Sequence, residues 1–107
     1  MNKKVIITPQ TRELFNSLIT RGIKAELEYS DGHKHVDIAI LDARIYIEVD
    51  GLQHFTNPDE IERDFKRNHY SDGDDFDTFH ISNFVLEHHL EKIADAIAVL
   101  VKRRANG

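Results

Sequence analysis

The fold is decided by residues 24–50: Lys24-Ala25-Glu26-Leu27-Glu28-Tyr29-Ser30-Asp31-Gly32-His33-Lys34-His35-Val36-Asp37-Ile38-Ala39-Ile40-Leu41-Asp42-Ala43-Arg44-Ile45-Tyr46-Ile47-Glu48-Val49-Asp50. Read in twos, the stretch sorts into two faces, which is the signature of half-buried strands. Ala25, Leu27 and Tyr29 alternate with Glu26 and Glu28. Val36, Ile38 and Ile40 alternate with Asp37 and Ala39. Ile45, Ile47 and Val49 alternate with Tyr46, Glu48 and Asp50. Asp31-Gly32 is a strong tight-turn dipeptide and Asp42-Ala43 a weaker one. The segment therefore reads as a three-stranded antiparallel meander.

Two-residue loops at both turns fix a trial register. Around Asp42-Ala43, Asp37 faces Glu48 and Ala39 faces Tyr46. On the other face Val36, Ile38 and Ile40 meet Val49, Ile47 and Ile45, all apolar, which is the register burial selects. Around Asp31-Gly32, Glu26 faces Asp37 and Leu27 faces Val36. One face is then a hydrophobic floor for helices. The other carries Glu26, Asp37 and Glu48 in a row, with Asp50 one step further. Like charges placed opposite each other destabilise a sheet. They raise one another's pKa or recruit a cation, and a hard ion such as Mg²⁺ takes carboxylate oxygens while keeping several waters.

Outward from the meander, Thr8-Pro9 reads as an N-cap and first helical position. Leu14, Phe15, Leu18 and Ile19 follow at helical spacing until Gly22, giving a helix over about 9–21. Gly51-Leu52-Gln53-His54 is a loop, and Pro58 opens a helix over about 58–70. Phe76 to Ile81 is a short strand. Asn83 caps a last helix, about 84–103, striped by Leu86, Leu90, Ile93, Ile97 and Leu100. The order αβββαβα is that of a mixed α+β (α/β-class) domain in which a fourth strand extends the meander and helices pack on the sheet.

The chain has 107 residues, 31% of them charged and 40% hydrophobic, which fits one domain spanning 1–107. Cysteine is absent, so disulfides, thiolate zinc sites and a cysteine nucleophile are excluded. No apolar run reaches the roughly 18 residues of a membrane helix, and Met1 to Pro9 is too weakly apolar for a secretory signal, so a cytoplasmic location is expected. The net charge of −5 argues against non-specific nucleic-acid binding by a broad basic footprint.

Val36-Asp37-Ile38-Ala39-Ile40, followed by Ile47-Glu48-Val49-Asp50-Gly51-Leu52-Gln53-His54, resembles the core of the PD-(D/E)XK nuclease superfamily. More narrowly, the chain is similar to small bacterial domains related to very-short-patch repair (Vsr-like) endonucleases, which carry an acid on one strand and EVDGxxH on the next. The resemblance extends to Thr8-Pro9 with Leu14-Phe15, to Asp64-x-x-Arg67, and to Phe79-His80-Ile81-Ser82-Asn83. It implies a restriction-endonuclease-like core and Mg²⁺- or Mn²⁺-dependent hydrolysis of DNA phosphodiester bonds. Asp37 and Glu48 would be the metal ligands. Asp50 stands where many members carry a lysine. Gln53 or His54 would orient or activate the attacking water, since histidine accepts a proton near neutral pH, and Asp64 would face the site from the second helix. Relatives place a glutamate at the position of Thr11. Glu13 points away from the Leu14/Leu18 stripe, so Glu26 is expected to stand in beside Asp37. With so little basic surface, a homodimer, a partner protein or a further DNA-binding domain is expected to supply affinity; nothing in the sequence distinguishes DNA from RNA by a 2′-hydroxyl contact. The alternative is a catalytically weak or inactive module of the same fold that serves nucleic-acid binding or complex assembly.

Other candidates carry weaker signals. His33 and His35 flank the first turn, and His88-His89 are helical neighbours whose side chains point about 100° apart and chelate one ion poorly. His80 is expected to be exposed. Lys102, Arg103 and Arg104 read as a solvated helix end, favourable at the negative C-terminus of a helix, and Asp72, Asp74, Asp75 and Asp77 as a solvated loop. Tyr46 shares the face of Glu48 and either packs against a substrate sugar or covers Ala39.

Overall fold

A computed structural model describes residues 7–32, 35–50, 59 and 76–106. Helix α1 (Pro9–Thr20) starts where the sequence places it: the Thr8 side chain accepts the N–H of Thr11 at 3.2 Å and Pro9 opens the helix. It ends at Gly22, whose φ of +83° suits glycine, with Ile23 N–H donating to the Leu18 carbonyl at 3.0 Å. Strands β1 (Glu26–Ser30), β2 (His35–Ile40), β3 (Ile45–Asp50) and β4 (Asp77–Ser82) form one sheet in that order. The first three run antiparallel, and β4 runs parallel to β3. A parallel neighbour needs a long connection, which residues 51–76 supply; the helix expected over about 58–70 lies outside the described residues except Asp59. Helix α2 (Asn83–Asn106) follows β4.

The β2/β3 register is the expected one: Ile38 pairs with Ile47, Ala39 with Tyr46 and Ile40 with Ile45. The turn between them is a short 3-10 turn, Leu41–Ala43, followed by Arg44 in the left-handed region at φ 57°. The β1/β2 register differs from expectation by two residues. Glu26 pairs with Ala39 and Leu27 with Ile38, while Tyr29 meets Val36 and Ser30 meets His35. Four residues, 31–34, connect the strands in place of the two-residue turn. Glu26 therefore does not stand beside Asp37, and Glu28 takes that place.

Helices α1 and α2 share one core with the floor of the sheet. Leu14 and Leu18 of α1, Ile93, Ile97 and Leu100 of α2, and Ile38, Ile40, Ile45, Ile47 and Ile81 of the strands belong to a single buried cluster, each no more than 1% exposed. At roughly 1.5–3 kcal/mol per buried aliphatic side chain, this cluster holds the helices on one face. The opposite face carries a smaller cluster of Val36, Ala39 and Tyr46, with Tyr29, Leu41 and Phe76 against it; Val36 and Tyr29, expected on the floor, pack here instead, because strict alternation breaks at Asp37 and at Glu28, whose φ is 55°.

The C-terminal basic run corrects one expectation. Lys102 and Arg103 are exposed, but the Arg104 side chain is 3% exposed. Its Nη1 donates to the carbonyls of Ala43 (2.7 Å) and Arg44 (3.2 Å), and its Nη2 to Asp77 Oδ2 (2.5 Å). The guanidinium thus ties the end of α2 to the β2/β3 turn and to the start of β4. Asp77 is correspondingly a half-buried strand residue and not part of a solvated loop. Ser82, rather than Asn83, caps α2: its Oγ accepts the N–H of Val85 at 3.1 Å, while Asn83 Oδ1 accepts the Thr8 hydroxyl at 3.2 Å. The α2 backbone departs from helical geometry at His89 (φ −137°, ψ 33°).

Candidate active site

The backbone pairing of β2 with β3 reaches Ile38 and Ile47, and the side chain of Asp37 continues it. Asp37 Oδ2 accepts the N–H of Val49 at 2.7 Å, doing for β3 what a strand carbonyl would do. This holds the carboxylate in the space between two strands, half-buried. Burial is the largest influence on Asp37 and pushes its pKa up. The Val49 N–H opposes that shift, the charges of Glu28 and Glu48 reinforce it, and His35 counters it. Asp37 therefore feels the charge of one acid on each neighbouring strand.

Glu28 is the acid that stands beside Asp37 in place of Glu26, and the expected alternation of β1 breaks at it: Leu27 packs in the main core and Tyr29 in the smaller cluster. The Glu28 φ of 55° lies in the left-handed region, unusual for a non-glycine strand residue and worth about 1 kcal/mol or more of strain. Its side chain is 17% exposed, and Oε1 lies 2.7 Å from His35 Nε2. The signal that could have found the pair is the run Asp31-Gly32-His33-Lys34: four polar residues suit a four-residue loop as well as a two-residue one, and the longer loop sets Tyr29 against Val36.

On the other side of Glu48, β4 contributes His80. The parallel register pairs Glu48 with His80 and Asp50 with Ser82. His80 is exposed, as expected, and its Nδ1 lies 3.5 Å from Asp50 Oδ2. Asp37 thus meets β3 at Val49, between Glu48 and Asp50, and His80 stands across from Glu48 and beside Asp50. Gln53, His54 and Asp64 lie outside the described residues.

Thr11 is buried in a hydroxyl network, 2.8 Å from the Thr8 Oγ1 that also reaches Asn83. Glu13 is exposed. Glu26 is exposed across from Ala39. Tyr46 covers Ala39 and is buried; its ring stacks on Phe76 at 4.4 Å and its hydroxyl donates to Asp31 Oδ2 at 3.0 Å.

Asp37 and Glu48 offer the hard oxygen donors that a water-rich divalent cation takes from one or two carboxylates, and their mutual repulsion gives such a cation a reason to bind. Among the described residues, no group of three or more His, Cys, Asp or Glu is arranged to hold a metal ion. Also among the described residues, no helix is long and apolar enough to cross a membrane. Comparison of the chain with protein-family models, with curated proteins and with solved structures returned no match.

Proposed function

We propose that this chain is a metal-dependent endonuclease domain that hydrolyses DNA phosphodiester bonds. The observation that carries the reading is the half-buried Asp37 carboxylate, set between β2 and β3 and within electrostatic reach of Glu48 and Glu28. Asp37 and Glu48 would hold Mg²⁺ or Mn²⁺. When bound, such an ion polarises a phosphate and lowers the pKa of a water. The Val49 N–H anchors one carboxylate oxygen of Asp37 and so fixes its orientation. The imidazole of His80, beside Asp50, supplies a ring nitrogen that could relay a proton to or from the attacking water. His54 and Gln53, on the segment that follows β3 directly, are the water-orienting residues the resemblance implies.

The second reading, a nuclease-fold module without hydrolysis that binds nucleic acid or assembles with a partner, is favoured by the absence of a three-residue metal group among the described residues. A plasmid-nicking assay with Mg²⁺ or Mn²⁺ separates the two. Nicking is expected in the wild type and is lost in Asp37→Ala and Glu48→Ala. It should fall steeply between dilute and moderate salt, because phosphate contacts are salt-dependent. The absence of nicking with either metal, or nicking that survives both substitutions, refutes the hydrolase reading.

A further inference from the structure

Three costs meet at Glu28. Its backbone is held at φ 55°, which strains a non-glycine residue. Its side chain is only 17% exposed. The register sets it across from Asp37, since its neighbours Leu27 and Tyr29 pair with Ile38 and Val36, and like charges placed opposite each other destabilise a sheet. The contact that holds the side chain is Oε1 to His35 Nε2, 2.7 Å, on a ring that is itself exposed. An ion pair with an exposed partner returns little stability. Stability therefore does not account for a glutamate here, and strain of this kind gathers at functional sites.

What the charge of Glu28 reaches is Asp37. Burial is the first cause of the raised Asp37 pKa, with the Val49 N–H opposing it; of the two acids that add to the shift, Glu28 acts more strongly than Glu48. The repulsion that makes Asp37 hold a proton more readily also favours a metal cation there, and more strongly for a divalent charge. Glu28 is not a ligand itself: Oε1 is engaged by His35, and no three-residue metal group exists among the described residues. We infer that Glu28, fixed by His35 across from Asp37, is a positioning residue whose charge tightens the hold of Asp37 and Glu48 on a divalent cation without touching it. This rests on the nuclease reading above for the metal and adds what sets its affinity.

Mn²⁺ binding to the full chain is titrated by the electron paramagnetic resonance signal of the free ion, with no nucleic acid present. Glu28→Gln keeps the shape of the side chain and removes its charge; it should weaken Mn²⁺ binding about tenfold, the low end for groups that stand behind metal ligands. Glu28→Asp keeps the charge and should stay within about threefold of the wild type. Glu26→Gln is the control: it removes the same unit of charge from an exposed position across from Ala39 and should change binding less than about twofold. Melting without metal is recorded for each variant. Glu28→Gln that melts lower but binds Mn²⁺ like the wild type shows a merely structural residue and overturns the inference, as does Glu26→Gln weakened as much as Glu28→Gln. Mn²⁺ uptake that is lost in Asp37→Asn and kept in Glu28→Gln removes the role of Glu28 and leaves the nuclease reading standing. No uptake by the wild type overturns both.

Discussion

Replacing Asp37 by asparagine or by alanine separates the two tasks this side chain performs. Asparagine keeps an oxygen where Oδ2 stands and removes the charge; alanine removes both. In the wild type the carboxylate accepts the Val49 N–H at 2.7 Å. A neutral hydrogen bond of this kind contributes about 0.5–1.5 kcal/mol, and a donor stripped of its acceptor in a half-buried site costs about 1–3 kcal/mol. Asp37→Asn should therefore be more stable than Asp37→Ala by about 1–2 kcal/mol, or about 5–10 °C in melting temperature for a domain of this size. The comparison with wild type depends on pH. Burial, reinforced by Glu28 and Glu48, raises the Asp37 pKa above its usual 3.8. A raised native pKa means that the folded state binds the proton more readily than the unfolded one. The stabilisation from this linkage is complete below the unfolded value and is lost as pH rises through the native value. Asparagine does not titrate. The melting temperature of Asp37→Asn relative to wild type should therefore climb as pH rises above the usual 3.8 and level off once the native carboxyl has ionised. Calorimetry of the three proteins across that range in EDTA is the assay. An alanine variant as stable as the asparagine variant would falsify the backbone-cap role, and a pH-independent gap between asparagine and wild type would refute the electrostatic one.

Other expected outcomes follow from the same geometry. Arg104→Met keeps the buried stem but removes the hydrogen bonds to Ala43, Arg44 and Asp77. Breaking a buried ion pair costs about 3–5 kcal/mol, and because the Asp77 side chain is 38% exposed the lower end applies; thermal melting should drop by about 12 °C or more, and a drop below about 3 °C would refute the clamp. Ser82→Ala removes the cap on Val85 N–H and should cost about 1 kcal/mol, read by urea denaturation, whereas Ser82→Thr should recover most of it.

How legible the chain was depends on what each feature needs. The β2/β3 register follows from alternation alone, because only one pairing sets every isoleucine of 38, 40, 45 and 47 against another. The β1/β2 register does not. A slip of two residues returns each side chain to the same face, so Leu27 is equally apolar opposite Val36 or Ile38, and the loop length decides. The identity of Asp37's neighbour was therefore not readable, and neither was the break in alternation that sends Val36 and Tyr29 to the smaller cluster. Arg104 was unreadable for a different reason. Its acceptors lie about sixty residues earlier in the chain, at Ala43 and Arg44, and a cation in the last turn of a helix looks the same whether it ends in water or against a distant turn. The bend at His89 has no glycine or proline in α2 to announce it.

The placement of Asp37 explains how the sheet tolerates acids on adjacent strands. Were β2 and β3 paired by backbone along their whole length, Asp37 and Glu48 would stand directly opposed, at a cost with no local return. Instead the Asp37 carboxylate itself satisfies β3 at Val49, so the charge is held by a main-chain donor on the very strand that carries Glu48. The Val49 N–H lowers the cost of keeping Asp37 ionised, while burial and the neighbouring acids raise it. The balance leaves a carboxylate that is oriented but electrostatically dissatisfied, the condition in which an added cation has most to gain. It also means that loss of activity in Asp37→Ala conflates a lost ligand with a loosened strand. Asp37→Asn isolates the charge, and the ratio of the two variants' residual nicking, set beside their difference in stability, measures how much of the site's chemistry depends on the strand being held in place.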